Sequence, residues 1–471
     1  MTVLDLRPVP PPPAPRRPPE RERVTRVLPP VQVSRALPSA TAFPRRVLKH
    51  PRFRPYNRLI ALVLVVNLLA LVHGLGGGGW WSSDRRALDA LSATVLANFA
   101  LAILIRQQYV VNLLFWLATR APTSWPLTLR WSLGKVYHFG GLHVGGAISG
   151  TLWFVALAAT IIRAAVGSPG TVSPATVVVT CQLVAVLLVI VTTAAPARRA
   201  RAHDTFERIH RLGGWTALAL FWTQTILSVA DQRPPTLVTA VVTSPRIWVL
   251  AVITASVALP WLRLKKVDVA VERPSNHVAL ARFDYGETPF AGSSNVISRN
   301  PLWEWHAFAN IPVPGKSGFR MAISRAGDWS GSFIDSPPKQ VWVKGITTAG
   351  VANIEVLFKK VVYVATGSGI GPVLPHLLAG KVAAHLVWAT RDPRGTYGEA
   401  LVDEILAAEP ESIIWDTKVH GKPDMVRLAY RAYREFGAEA VICISNKQLT
   451  WEVVHGLERR GIPAFGAIWD S

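Results

Sequence analysis

Val361-Val362-Tyr363-Val364-Ala365-Thr366-Gly367-Ser368-Gly369-Ile370-Gly371-Pro372 is the stretch on which the fold turns. An apolar strand runs straight into a glycine-rich turn and then into an apolar helix at 373–378. Glycines let backbone approach a pyrophosphate with no Cβ in the way, and the helix start adds free N–H groups and a partial positive charge. Proline suits the first helical turn, where the missing N–H removes no hydrogen bond. The pattern departs from G-x-G-x-x-G, because its sixth position is Pro372. Thr366, Gly367, Gly369, Gly371 and Pro372 are the candidate dinucleotide contacts.

Around this motif strands alternate with helices. Strands are expected at 361–365, 384–388, 412–414 and 440–444, with helices at 398–408, 424–436 and 449–460. That alternation implies a parallel α/β sheet over 351–471. The preceding stretch, 263–350, carries short β-like runs at 267–271, 277–283, 318–323 and 341–343, separated by turn residues, and reads as a small antiparallel barrel.

Upstream the character changes again. Half of the 471 residues are hydrophobic and only 17% are charged. The excess lies in six apolar segments at 59–75, 88–105, 143–162, 176–195, 212–229 and 247–262, each near the length that crosses a ~30 Å hydrocarbon core. A six-helix transmembrane domain is therefore expected over 58–262. Basic residues cluster in the tail, around 120–135, at 198–211 and at 263–266, while the alternate loops are poorer. The positive-inside rule then puts both termini in the cytoplasm of a multi-pass membrane protein. Trp80 and Trp81 suit the outer interface. The mixed segment 107–118 has no readable role.

Residues 1–57 form a Pro/Arg-rich tail without apolar periodicity, expected to be disordered. The net charge of +22 is thus an address on an anionic inner leaflet, and nucleic-acid binding drops out. Cys181 and Cys443 are the two cysteines, too few for an iron–sulfur cluster or a disulfide framework.

The strand followed by Thr-Gly-x-Gly-Ile-Gly-Pro resembles the NAD(P)H site of the ferredoxin–NADP reductase superfamily, where a flavin barrel precedes the nucleotide domain. Six spans before that pair resemble the ferric reductase and NADPH oxidase branch. Glu304-Trp305-His306-Ala307-Phe308-Ala309-Asn310-Ile311-Pro312, then Ala326-Gly327-Asp328-Trp329-Ser330, then 461–471 are similar to the TmpA family of flavin-dependent oxidoreductases.

The resemblance implies FAD and NAD(P)H as cofactors and an α-helical membrane domain followed by a ferredoxin-reductase-like module. His306 and Phe308 would pack by the isoalloxazine, although Ala307 and Ala309 replace the proline and the hydroxyl of the related His-Pro-Phe-Thr pattern. Ser330 and Ser332 would meet the flavin diphosphate. Arg391 would clamp a 2′-phosphate, which favours NADPH. Cys443 would approach the nicotinamide as the catalytic residue, although Ile444 follows it where the superfamily has glycine. Trp469 or Phe465 would shield the flavin.

Haem is where the related branches diverge. Stacked haems need a second His some 12–14 residues beyond the first, ~18–21 Å along a helix. His138, His143 and His210 have none there, so at most one haem, on the cytoplasmic side, is expected. The neighbouring glycines would make room for its macrocycle. The expected activity is electron transfer from NAD(P)H to FAD and on to an unidentified membrane or cytoplasmic acceptor. The alternative is a non-catalytic membrane sensor with a degenerate flavin-reductase fold.

Overall fold

The computed structural model describes residues 53–77 and 85–466, together with positions 37 and 39. The rest of the tail through residue 52, Trp80, Trp81 and Trp469 lie outside the described residues.

The first half is helical: α1 (Pro55–Gly77), α2 (Arg85–Leu104), α3 (Gln108–Ala118), α4 (Leu127–Leu133), α5 (Gly140–Gly167), α6 (Pro174–Thr193), α7 (His203–Ala230) and α8 (Pro245–Leu262). Leu91, Val95, Phe154, Leu157, Leu183 and Leu250 form the bundle core, while Leu62, Val66 and Leu69 of α1 face outward. Polar glue ties three helices: Asn67 and Asn98 exchange amide hydrogen bonds at 3.0 and 2.8 Å, and Trp153 Nε1 donates to Asn67 Oδ1 at 2.8 Å. Away from water, such reciprocal amide pairs specify which helices meet.

Among the described residues, five helices are long and apolar enough to cross a membrane: Pro55–Gly76, Ala87–Leu104, Val136–Gly167, Pro174–Thr193 and Pro245–Leu262. The expected sixth span, 212–229, lies within α7 and is not among them. That helix is long enough, but Trp222, Thr223, Gln224, Thr225 and Ser228 dilute its apolar run.

The segment 107–118 now has a role. Helix α3 buries Val111 and Phe115 against the second half of the chain. Asn112 acts as an amide rung: Nδ2 donates to Thr347 O and Oδ1 accepts from Ala349 N–H, both at 2.9 Å.

The second half begins with two antiparallel sheets. One has the order β1 (Leu264–Asp268), β7 (Gln340–Lys344), β4 (Ser293–Ser298), β5 (His306–Ala309), with β8 (Thr348–Ala349) on β4. The other is β2 (Ala270–Glu272), β3 (Val278–Phe283), β6 (Phe319–Ser324). The expected strand 267–271 breaks at Val269, whose N–H turns to Lys339 O, so the chain switches sheets there. A bridge between Ile311 and Arg320 joins the opposite corner. Helix α9 (Asp328–Asp335) plugs the sandwich with Phe333 and Ile334.

The last unit is a five-stranded parallel sheet: β9 (Lys360–Thr366), β10 (Ala383–Thr390), β11 (Ile413–Asp416), β12 (Ala440–Ile444) and β13 (Ala464–Phe465), in the order β11-β10-β9-β12-β13. Helices α10 (Ile370–Ala379), α11 (Glu399–Ala408), α12 (Met425–Phe436) and α13 (Lys447–Glu458) cover it, giving a hydrophobic core on each face. Every residue of β9 from Val361 to Ala365 is fully buried, as a central parallel strand requires.

Candidate functional site

The strand order fixes where a ligand can enter the parallel sheet. From β9 the chain winds outward through β10 and β11, then returns to place β12 on the other side of β9. The crevice beyond the carboxyl ends of β9 and β12 is the topological switch point, the ligand position in open α/β sheets. Thr366 and the glycine turn sit at one lip, Ile444 and Ser445 at the other. The Thr366 and Ser445 hydroxyls hydrogen-bond across it.

The turn is built by close approach. Gly367 has φ +49°, and a Cβ on Gly369 would stand 2.1 Å from Ile444 O. Only a hydrogen fits there, so the turn lies flat on the end of β12 and α10 starts directly above the crevice. Trp388 Nε1 donates to Gly367 O at 3.0 Å, with Tyr397 edge-on to its ring at 5.0 Å. Gly371 faces Ala322 of β6, whose Cβ would lie 3.6 Å from an added Cβ. The sandwich and the parallel sheet therefore meet at this turn. Arg320 grips Glu404 with both contacts at 2.8 Å, and Ser275 Oγ donates to Thr396 O at 2.8 Å, holding the two units in register.

Arg391 is exposed just past the end of β10. Asp392 takes the left-handed conformation, φ 45°, and caps the next turn through Gly395 N–H. Lys418, which sequence reasoning missed, pairs with Asp392 at 2.8 Å. Its hydrogen bond, with that of Gly395, holds the Asp392 carboxyl below its ordinary range. Arg391 and the Lys418–Asp392 ion pair thus flank this end of the crevice.

A second cluster lies on the sandwich. His306 and Phe308 project from β5 toward Trp329 of α9, with ring centroids 4.1 and 5.9 Å away. Trp329 Nε1 donates to Glu304 Oε1 at 2.6 Å, which fixes the indole. Burial lowers the His306 pKa against the opposing pull of Glu304, and its Nε2 is buried without a hydrogen-bond partner. Arg299, also missed, donates Nη1 to Ser332 Oγ at 3.0 Å and leaves Nε unpartnered. Ser330 is committed locally: its Oγ accepts from Ala326 and Gly327 N–H at 2.9 and 3.1 Å and donates to Gly327 O. Arg299 and Ser332, with an unsatisfied guanidinium N–H, suit an anionic group better than Ser330 does.

Other candidates sit elsewhere. Cys443 is on β12, but its side chain enters the core beneath α12 and α13, fully buried, and burial pushes the thiol up to about 12. Phe465 is buried against Phe358 at 5.4 Å, with Lys135 Nζ 4.5 Å from its ring. His138 lies against Tyr137 at 4.3 Å. The His143 and His210 rings meet edge-on at 6.1 Å, and His143 Nδ1 bonds to Ala102 O at 2.8 Å. Beside His210, Gly213 faces Ile190 and Gly214 faces open space, but beside His138 and His143 the glycines make no room for a macrocycle: Gly141 faces Tyr56 O, Gly145 faces Val63 and Gly146 faces Asn98 O. These small residues bring α1 and α2 close to α5, so the residues present do not fit a haem.

Known proteins resemble this chain along most of its length. The chain is 44% identical over 430 residues to adenylate-forming reductase 03009 of Coprinopsis cinerea, and 43% identical over 430 residues to adenylate-forming reductase 06235 of that organism. Each alignment takes in 90% of this chain and 41% of the relative, so the chain spans well under half of the curated relatives it matches. A ferredoxin NADP+ reductase from Neisseria gonorrhoeae, with bound FAD and NADP, aligns over 44% of this chain and 98% of its own at 14% identity and a TM-score of 0.37. The parallel-sheet unit, residues 351–471, matches the family model described as the C-terminal domain of adenylate-forming reductase 03009.

Proposed function

We propose that this chain is a membrane-anchored oxidoreductase that takes electrons from NAD(P)H through a bound flavin to a membrane or cytoplasmic acceptor. The switch-point crevice carries the reading: a glycine turn pressed against Ile444 O, with a helix start above it and Arg391 and Lys418 at one end. The reductase names of its relatives support it, as does the match over 351–471. The narrower kinship with the TmpA family belongs to the same proposal.

The roles follow from chemistry on the page. Backbone N–H groups at the start of α10 bind the pyrophosphate. Arg391 and Lys418 hold a phosphate on the adenosine ribose, which selects NADPH. His306, Phe308 and Trp329 form an aromatic wall on the sandwich for the flavin, and Arg299 with Ser332 binds an anionic group beside it. FAD, when bound, supplies the hydride-accepting and electron-releasing chemistry. The Arg320–Glu404 and Ser275–Thr396 contacts keep the two walls at fixed spacing, which matters because small misplacements cost rate steeply.

Anchoring rests on the five apolar helices and on α3, which buries one face on the soluble half and exposes Leu113, Trp116 and Leu117 on the other. With α7 counted as a further pass, the chain ends α8 on the side where α1 started, in keeping with two cytoplasmic termini at an anionic leaflet.

The test is anaerobic addition of NADPH to the purified, FAD-reconstituted chain. Bleaching of the visible flavin band is expected, and a flavin that stays fully oxidised overturns the reading in favour of a non-catalytic sensor. Arg391→Ala is expected to raise the KM for NADPH about tenfold, roughly 1.4 kcal/mol, and to leave that for NADH unchanged.

A further inference from the structure

The helical half holds a cavity of about 300 Å³ at the end of the bundle far from the soluble half. Arg246 at its mouth is sixteen residues from the end of α8, about 24 Å along the axis. The start of α2, the end of α5, the start of α6, the end of α7 and the start of α8 converge there. The volume is at the lower bound of ligand-sized sites, ~300–1,000 Å³.

Its lining is unusual for a helical bundle. Leu157, Ile161, Ala164 and Val172 give an apolar wall, and three residues of one α7 face oppose it: Gln224, Ser228 and Asp231. Asp89 and Arg246 neutralise each other at 2.9 Å. Asp231 accepts from Thr176 Oγ1 at 2.6 Å and has no cationic partner among the described residues. It caps the carboxyl end of α7, where the helix carbonyls add negative potential. Gln224 is 6% exposed; its Nε2 donates to Ser228 Oγ at 3.0 Å, while its Oε1 has no donor among the described residues. That oxygen is open to the cavity and is free to accept from a ligand there.

The open groups are thus a carboxylate near the mouth and, two helical turns deeper or ~10 Å, a neutral acceptor. We propose that this cavity binds a small organic ammonium compound with a second hydrogen-bond donor along its chain, the ammonium on Asp231 and the second donor on Gln224 Oε1. The methylenes between lie along the Leu157–Ile161–Ala164 wall. Neither the glycine turn nor the aromatic wall enters this inference, so it stands apart from the redox reading.

The experiment measures binding of 5-amino-1-pentanol, n-pentylamine and 1,5-pentanediol to the full chain in lipid nanodiscs by saturation-transfer NMR. The amino alcohol is expected to bind saturably and at least tenfold more tightly than either of the other two. Asp231→Asn should abolish its advantage over the diol, and Gln224→Leu its advantage over pentylamine. Ala164→Leu, which fills the cavity and touches neither polar group, should weaken all three. An unchanged thermal unfolding transition certifies the fold of each variant. No saturable binding, equal affinities for the three probes, or binding untouched by the Asp231 and Gln224 substitutions overturns the proposal.

Discussion

At the scale of single residues, the glycine turn separates two kinds of glycine. Gly369 lies against a backbone carbonyl that cannot retreat without breaking the end of β12, whereas Gly371 faces an alanine methyl at ordinary contact distance. Gly369→Ala should therefore weaken NADPH binding by tenfold or more and destabilise the fold by about 1–3 kcal/mol. Gly371→Ala should do neither; fluorescence titration with NADPH and urea unfolding check both. The same logic separates two serines. Ser330 spends its hydroxyl on the cap of its own helix, while Ser332 presents its hydroxyl to Arg299. Buried polar groups need partners as well: Glu355 accepts from Tyr363 OH at 2.6 Å and bonds His376 Nδ1 at 2.7 Å, all three nearly inaccessible beneath the turn. Burial and the neighbouring carboxylate hold the Tyr363 phenol well above its ordinary range, so it serves as a donor.

At the scale of elements, the helical half is clamped to the parallel sheet. Arg130 of α4 is buried and reaches Glu439, one residue before β12, at 2.7 and 3.2 Å, and also Leu357 O at 2.8 Å. Burial raises the Glu439 pKa, but hydrogen bonds from Arg130 and Lys359 N–H outweigh it and hold the carboxylate ionised. Lys135 adds a bond to Ala464 O and an ion pair with Glu458 at 2.5 Å. Breaking one partner of such a pair strands the other, so Arg130→Met should cost about 3 kcal/mol in urea unfolding. A second seam joins β7 to α8: Lys344 Nζ lies 4.3 Å from the Trp305 ring and 5.2 Å from that of Trp261. Burial, then repulsion from Arg211, lowers its pKa to about 8 from an ordinary 10.5. Between those values the unfolded chain binds more protons than the folded one, so stability rises with pH across the window. Lys344→Met should abolish that rise in unfolding measurements taken at both ends of it.

At the scale of the whole molecule, the helices alternate in direction, so the polar cavity and the nucleotide crevice lie at opposite ends. If the long helices cross a bilayer, the two ends face different compartments. In a Cys181→Ser background, Ser168→Cys and Lys265→Cys should then react with an impermeant maleimide from opposite sides of sealed vesicles. Labelling of both from one side would sink the spanning arrangement. Cys443 should stay silent throughout, because its thiol is buried in the sheet core.

Much of this architecture was legible in the sequence. Long apolar runs can only be helices in a low-dielectric setting, and alternating apolar strands and amphipathic helices leave few choices but a parallel sheet. The motif at 361–372 marked the strand, the turn and the helix start because each needs a particular residue type locally. Strand β4 was not legible: Ser293, Ser294 and Asn295 look like a loop. Ser293 and Asn295 are buried because Asn310 Nδ2 satisfies Ser293 Oγ and Asn295 Oδ1 at 2.9 Å, a pairing between distant positions. The same holds for Ser445, Arg299, Lys418 and the Arg130–Glu439 clamp, none of which has a local pattern. The sequence by itself determined the order of the three units and the glycine turn, because hydrophobic periodicity and backbone freedom are local properties. Only the tertiary structure decided that Cys443 faces the core, that the α5 glycines serve helix packing, and which hydroxyls meet across the crevice, because those depend on which strand lies beside which.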